Sequence, residues 1–173
     1  MPSELGILST LHDDFHAHGT SAVDMSNDIC NGRAYGGTAI LYNNALGNAV
    51  NVVECNTVRC TAVTVGTSVG PLLIVNVYMP TDYGTANDME DYLEVCASIK
   101  SLYRTVDAVV VGDFNCSVSL RFYSVFQQFV DDNNLVCADL LRLDSSNFTY
   151  SRDDGANMTW IDHILCLLLP ARL

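Results

Sequence analysis

The run 107–115, DAVVVGDFN, constrains this chain more than any other stretch. Val109, Val110, Val111 and Phe114 make a near-continuous apolar segment, which reads as a buried strand. Gly112, Asp113 and Asn115 then bring a carboxylate and a carboxamide to its end. Residues two apart on an extended segment leave the same face, so Asp113 and Asn115 are expected to act together.

The rest of the chain supplies partners for such a strand. A short helix is expected over Ser3–Leu11, and AYGGTAILY (34–42) begins a strand after a Gly-Gly turn. AVNVVE (49–54) and VRCTAVTV (58–65) read as a hairpin, and PLLIVNVYMP (71–80) as a strand bounded by prolines. The segment from Ala86 to Arg104 reads as a helix, with Asn87 and Glu90 at capping-box spacing. Its expected apolar face holds Met89, Tyr92, Leu93, Cys96, Ile99 and Tyr103. A second helix carries Phe122, Val125, Phe126, Phe129 and Val130 at helical spacing. LVCADLL (135–141), NFTYS (147–151) and MTWIDHILC (158–166) read as late strands. Strands with helices placed between them give the pattern of an α/β sandwich.

Composition narrows the class. Hydrophobic residues make up 49% and charged residues 16% of 173 positions, which fits one packed domain and excludes disorder. No window reaches the ~18 apolar residues of a membrane helix. The opening MPSELGILSTLHDDFHAHG lacks the basic and apolar blocks of a secretory leader, so an intracellular protein is expected, nuclear or cytoplasmic. The seven cysteines form no C-x-x-C pair and most lie in apolar runs, so they are expected reduced and buried. A net charge of −12 counts against tight independent binding to nucleic acid, which is normally gained through Lys and Arg.

Three positions suggest chemistry. Asp113, at the end of a buried strand, suits a general base, with Asn115 as a neutral donor to an oxyanion. Gly-Asp-x-Asn is also turn chemistry, and on the tetrapeptide alone the turn is the simpler reading. Tyr78 ends another buried strand just before Pro80 and can donate to a phosphate oxygen, or merely cap the core. Asp162 interrupts an apolar strand, where a buried carboxylate needs a partner, either a histidine or backbone amides. Alternation places Asp162 and Ile164 on one face of that strand and His163 and Leu165 on the other. HDDFHAH (12–18) has the residue types of a zinc site, but an exposed polar loop is the simpler expectation.

The order NVYMPTD, helix, VVVGDFNC, helix, NFTYSRDDGANMTWIDHILC resembles the endonuclease/exonuclease/phosphatase superfamily. GTSAVD (19–24) followed by GRAYGGTAILY is most similar to the endonuclease domain of LINE-type, non-LTR retrotransposons. The resemblance covers nearly the whole chain. It implies a two-sheet α/β sandwich of the DNase I-like kind and Mg²⁺-dependent hydrolysis of DNA phosphodiesters. By position, Asp113 resembles the base that activates water, and Asn115 the residue that steadies the water and phosphoryl oxygens. Tyr78 resembles the phosphate-contacting tyrosine, and Asp162 the aspartate that orients a catalytic histidine.

Against that family pattern, residues 1–173 read as a single partial domain, incomplete at both ends. The metal-holding Glu and the closing Ser-Asp-His motif have no counterpart, so impaired cleavage and weak Mg²⁺ binding are expected. Asp162, without its histidine, is expected to be buried with a raised pKa. Uncovered sheet edges would favour self-association. Two further readings stay open: a phosphatase or phosphodiesterase of small phosphate esters, and a non-catalytic remnant or interaction fragment of the same domain.

Overall fold

The structure, a computed structural model, describes residues 5–8, 10–21, 37–103, 106–144, 146–153, 155 and 158–167. The N-terminal part holds α1 (Leu5–Leu8), β1 (Phe15–Thr20), β2 (Thr38–Asn43), β3 (Val50–Val53), β4 (Cys60–Thr67) and β5 (Gly70–Tyr78). There follow α2 (Ala86–Leu102), β6 (Asp107–Asp113), α3 (Tyr123–Asp132), β7 (Val136–Cys137), α4 (Ala138–Arg142), β8 (Tyr150–Ser151), β9 (Met158–Thr159) and β10 (Asp162–Leu167).

The main sheet has the order β3-β4-β5-β6-β10-β7. Neighbours β5 and β6 are parallel, whereas the other pairs are antiparallel. Parallel neighbours require a crossover, and α2 provides it. Alternation along β5 divides the two faces. Leu73, Val75 and Val77 are buried, while Leu72, Ile74, Asn76 and Tyr78 on the other face are half-buried. The buried set joins Ala62, Ala108, Val110 and Leu165 from the sheet with Tyr92, Ile99, Phe122 and Phe126 from the helical layer in one apolar core. Each fully buried aliphatic or aromatic side chain there contributes about 1.5–3 kcal/mol.

The opposite face of the sheet carries a second layer. Strands β1 and β2 form their own antiparallel pair. A hydroxyl cluster ties it to the main sheet: Thr38 and Thr61 share a 2.6 Å bond, and the Thr20 hydroxyl reaches both. Asn76 Nδ2 donates to the Ala39 carbonyl at 2.9 Å. The described residues thus form the α/β sandwich that the sequence implies. Among them no helix is long and apolar enough to cross a membrane. Six cysteines among them are unbridged, and Cys60, Cys96 and Cys116 are fully buried.

Several local expectations change. HDDFHAH is a polar loop only over its first three residues, because Phe15–Thr20 pairs residue by residue with β2. Among the described residues of the expected first helix, Leu5–Leu8 is helical and residues 10–11 are not. The cap of α2 is Thr85 with Asp88, not Asn87 with Glu90. The Thr85 hydroxyl accepts from the Asp88 amide at 3.3 Å, and the Asp88 carboxylate accepts from the Thr85 amide at 2.8 Å. Leu93 stands exposed, and Val95 takes its place in the buried face. LVCADLL is not one strand, since only Val136–Cys137 is extended and Ala138–Arg142 is helical. MTWIDHILC divides into β9 and β10. Residues 34–36 of AYGGTAILY, and the second half of GTSAVD (22–24), lie outside the described residues.

Candidate active site

Three adjacent strands bring the sequence candidates into one row. In the β5–β6 ladder Tyr78 is paired with Asp113, and in the β6–β10 ladder Asp113 is paired with Asp162. Directly opposed antiparallel residues have Cβ atoms roughly 4.5–5.5 Å apart, so the two carboxylates are close neighbours. Their chain neighbours Met79, Phe114 and His163 are buried in the helical layer. The row therefore lies on the face away from α2 and α3.

Gly112 makes this ending of β6 attainable. Its φ is +136°, and a Cβ there would lie 2.0 Å from the Val77 carbonyl oxygen. Only glycine tolerates both conditions. Two backbone bonds then fix the strand end: Met79 N–H donates to the Asp113 carbonyl at 2.8 Å, and Phe114 N–H to the Ile161 carbonyl at 2.8 Å. Asn115 follows with φ +47°, a left-handed conformation that asparagine tolerates better than most residues. Its amide N–H donates to Asp113 Oδ1 at 2.8 Å, and its Nδ2 donates to the Met79 carbonyl at 2.8 Å. The tetrapeptide is thus a turn closed by its own aspartate. The same turn holds the carboxylate and carboxamide together beside the end of β5.

Burial raises the Asp113 carboxyl to about 6, the Asn115 amide opposes that rise, and the negative charge of Asp162 adds to it. A carboxyl in this range exchanges protons near neutrality. Asp162 itself is exposed, which corrects the expectation of a buried carboxylate lacking a partner. Alternation does hold on β10, but the buried residue at this end is His163.

Tyr78 adjoins a groove of about 340 Å³ lined by Arg59, Pro80, Thr81, Tyr83, Asp88 and Asp91. The Arg59 guanidinium lies 5.9 Å from the centre of the Tyr78 ring, and its Nη1 donates to the Tyr78 carbonyl at 3.3 Å. Arg121, which reaches Asp88 of the groove, is already committed. It makes a 2.7 Å ion pair with Asp82 and a 3.4 Å pair with Asp88. The Thr85 hydroxyl, neighbouring amides and Arg121 hold Asp88 below the usual carboxylate range.

A second polar group occupies the helical side of the sheet. His163 Nδ1 lies 2.8 Å from Asp139 Oδ2, and its Nε2 lies 3.1 Å from the Cys116 carbonyl. The Ile164 amide and the Cys137 thiol both donate to Asp139 Oδ1, at 2.8 and 3.2 Å. Burial pushes the Asp139 carboxyl up, but the Ile164 amide, His163 and Cys137 outweigh it and leave it below its ordinary value. Ligating atoms of Cys137, Asp139 and His163 all lie within 4.8 Å of one another, so the group can coordinate a metal ion.

Sequence reasoning missed Arg59, Asp139 and the pairing of His163. A single arginine opening a strand offers little signal. Asp139 lies 24 positions from His163, so their pairing depends on register. Alternation separates His163 from Asp162, but only the position of α3, whose Phe126 stacks on the imidazole, shows that His163 is the one that meets the core.

No protein-family model and no curated protein matches this sequence. Solved structures do match, and the likeness is one of fold. An endonuclease/exonuclease/phosphatase family protein from Leptotrichia buccalis C-1013-b superposes with a TM-score of 0.62 at 14% identity, covering 94% of this chain and 63% of that one. The mannosyl-6-phosphatase of Bacteroides thetaiotaomicron VPI-5482 gives 0.60 at 18% identity, covering 94% and 66%. The endonuclease domain of TRAS1, a telomere-specific non-LTR retrotransposon, gives 0.57 at 12% identity, covering 88% and 67%. The chain has the endonuclease/exonuclease/phosphatase fold and spans just under two thirds of the first two of these structures. The matches do not single out the retrotransposon branch.

Proposed function

We propose that this chain, built on the endonuclease/exonuclease/phosphatase fold, carries a metal-assisted site for hydrolysis of phosphate esters at Tyr78, Asp113, Asn115 and Asp162. The in-register row across β5, β6 and β10 carries this reading. It gathers an acceptor, a phenol donor and a second carboxylate at one sheet end, from three distant parts of the chain.

The residues fit a hard divalent cation. Burial first, and the facing charge of Asp162 second, raise the Asp113 carboxyl, and a cation beside the two carboxylates would offset both. Mg²⁺ takes one or two carboxylates and keeps several waters, which suits Asp113 and Asp162 as its holders. When bound, it would neutralise charge on the phosphoryl oxygens.

The remaining work falls to the protein. Asp113 accepts the proton of the attacking water, its carboxylate held in place by the Asn115 amide at 2.8 Å. Asn115 gives one N–H to Met79 and keeps a second for the water or a phosphoryl oxygen. Tyr78 donates its hydroxyl to the phosphate, and Arg59 beside it offers positive charge.

Small or terminal phosphate esters are the favoured substrate class. Net charge is −12, and Arg121 is spent on Asp82 and Asp88, which leaves little to track a duplex backbone. Among the matching solved structures are the mannosyl-6-phosphatase and a Neisseria 3′ phosphatase bound to a product DNA hairpin. A second reading, DNA cleavage as in LINE-type endonucleases, is favoured by the order of NVYMPTD, VVVGDFNC and MTWIDHILC in the sequence.

Phosphate release from sugar phosphates and 3′-phosphorylated oligonucleotides, beside plasmid nicking, tests both readings. The expected result is Mg²⁺-dependent release that Asp113→Ala abolishes, with nicking much weaker. Nicking that exceeds phosphate release would replace the first reading by the second. Turnover indifferent to Asp113, or none on any substrate, would sink the site.

A further inference from the structure

We infer that Cys137, Asp139 and His163 form a second metal site, selective for a zinc-type ion, which ties the β7–α4 edge to β10. Asp162 and His163 are successive on β10 and leave opposite faces, so this site lies across the sheet from the Asp113 row. The inference does not depend on the proposed hydrolysis.

The imidazole is oriented as a ligand. Its Nε2 meets the Cys116 carbonyl at 3.1 Å and must carry a proton there, because a carbonyl only accepts. Metal-bound histidines are commonly fixed through the second nitrogen in this way. Phe126 stacks on the ring with centroids 4.8 Å apart and fixes its plane. Nδ1 then aims at Asp139 Oδ2 from 2.8 Å. Nitrogen and carboxylate both present lone pairs, so a positive centre must sit between them, either a proton or a metal ion.

Spacing and donor type favour zinc. With bonds of about 2.0–2.3 Å in a tetrahedron, neighbouring ligand atoms stand about 3.3–3.7 Å apart. Cys137 Sγ is 3.2 Å from Asp139 Oδ1 and 3.9 Å from His163 Nδ1, near that spacing, and Asp139 reaches the thiol through Oδ1 and the imidazole through Oδ2, so both of its oxygens face the ion. The Nδ1–Oδ2 separation must open by about 0.5 Å to admit the ion. A thiolate, an imidazole and one carboxylate suit Zn²⁺ far better than Mg²⁺, which prefers oxygen alone.

The exchange balances in charge. With a proton between Nδ1 and Oδ2, the group holds an imidazolium, a carboxylate and a thiol, and is neutral overall. One Zn²⁺ displaces the Nδ1 proton and the thiol proton, leaving imidazole, carboxylate, thiolate and the dication, again neutral. Burial of His163 and Asp139 is therefore no obstacle to the swap. Strand β7 has only two residues in the ladder, so bonds to one ion would add substantially to its hold on β10.

Titration of the whole chain with Co²⁺, under a non-thiol reductant, tests the site. With excess Mg²⁺ present to fill the Asp113 row, one Co²⁺ per chain is expected, with a thiolate-to-cobalt charge-transfer band that Zn²⁺ removes. Cys137→Ser should lose the band, His163→Gln should bind at least tenfold more weakly, and Asp113→Asn should keep the band. Since His163→Gln can disturb folding, alkylation of the unsubstituted chain gives a second readout. Zn²⁺ should shield Cys137, mapped by mass spectrometry, and leave Cys166 unchanged. Absence of the band, its persistence in Cys137→Ser, or unshielded Cys137 would each overturn the inference.

Discussion

Asp113 faces Asp162 directly across the β6–β10 ladder, and burial with that facing charge leaves Asp113 titrating at about 6. The folded chain keeps this proton up to about pH 6, whereas an unfolded carboxyl loses it near 3.8. Stability from this group is thus fully present below the unfolded value and declines as pH rises to about 6, then levels. Asp113→Asn should remove that decline and, after solvent screening, be more stable than the parent above pH 6 by about 1 kcal/mol. Urea unfolding of both proteins on either side of the window measures it. A parent no less stable than the variant at pH 7.5 would contradict the assignment.

Asp162→Asn should move the Asp113 carboxyl part of the way back to its ordinary range. Burial, the larger cause, stays in place. Carboxyl ¹³C NMR of Asp113 reads this directly. In an active preparation, the acidic limb of the pH–rate profile should shift the same way.

Gly112→Ala should cost several kcal/mol, because the new Cβ meets the Val77 carbonyl at 2.0 Å in a backbone conformation closed to alanine. Backbone rather than a mobile side chain stands in the way, so relief requires β5 and β6 to part. Chemical denaturation gives the magnitude. A change under about 0.5 kcal/mol, the usual size for surface sites, would mean the strand end is looser than described.

Asp139→Ala should destabilise the chain by about 3–5 kcal/mol, since it strands His163 Nδ1 and the Ile164 amide. Asp139 is held below its ordinary value, so its stabilisation is present at neutral pH and fades as pH falls through that lowered value. Thermal melts across acid pH, parent against variant, should converge at the acid end.

Thr85→Ala should cost about 1 kcal/mol, the usual loss for an N-cap hydroxyl. Asn87→Ala should cost much less, because Thr85 and Asp88 make the capping box. Paired denaturation curves separate the two, and equal losses would refute the cap.

The sequence was informative where one strand carries its own evidence. The apolar runs of β5 and β6 announced two strands, and the polar residues at their tips are the ones that register brings into one row. Alternation on β10 separated Asp162 from His163. What escaped was set by contact between distant segments. Which of the two residues meets the core depends on which face α3 covers, and Phe126 decides that by stacking on His163. The turn from Cys137 into α4 has no clear punctuation, so LVCADLL reads as a strand until Asp139 accepts from Ile164. HDDFHAH looks like a loop by polarity, yet from Phe15 onward its backbone pairs with β2 whatever its side chains. Arg59 is a lone cation whose use depends on where Tyr78 lies.

The position of β10 between β6 and β7 also governs the order of assembly. During synthesis β7 emerges before the strand it must pair with, so it waits unanchored while the β3–β6 part can already pair. Asp113 likewise meets its facing carboxylate only when β10 slots in. A nascent chain halted before that event would hold most of its core and would already place Tyr78 beside Asp113, but would lack Asp162, the second carboxylate of the proposed site.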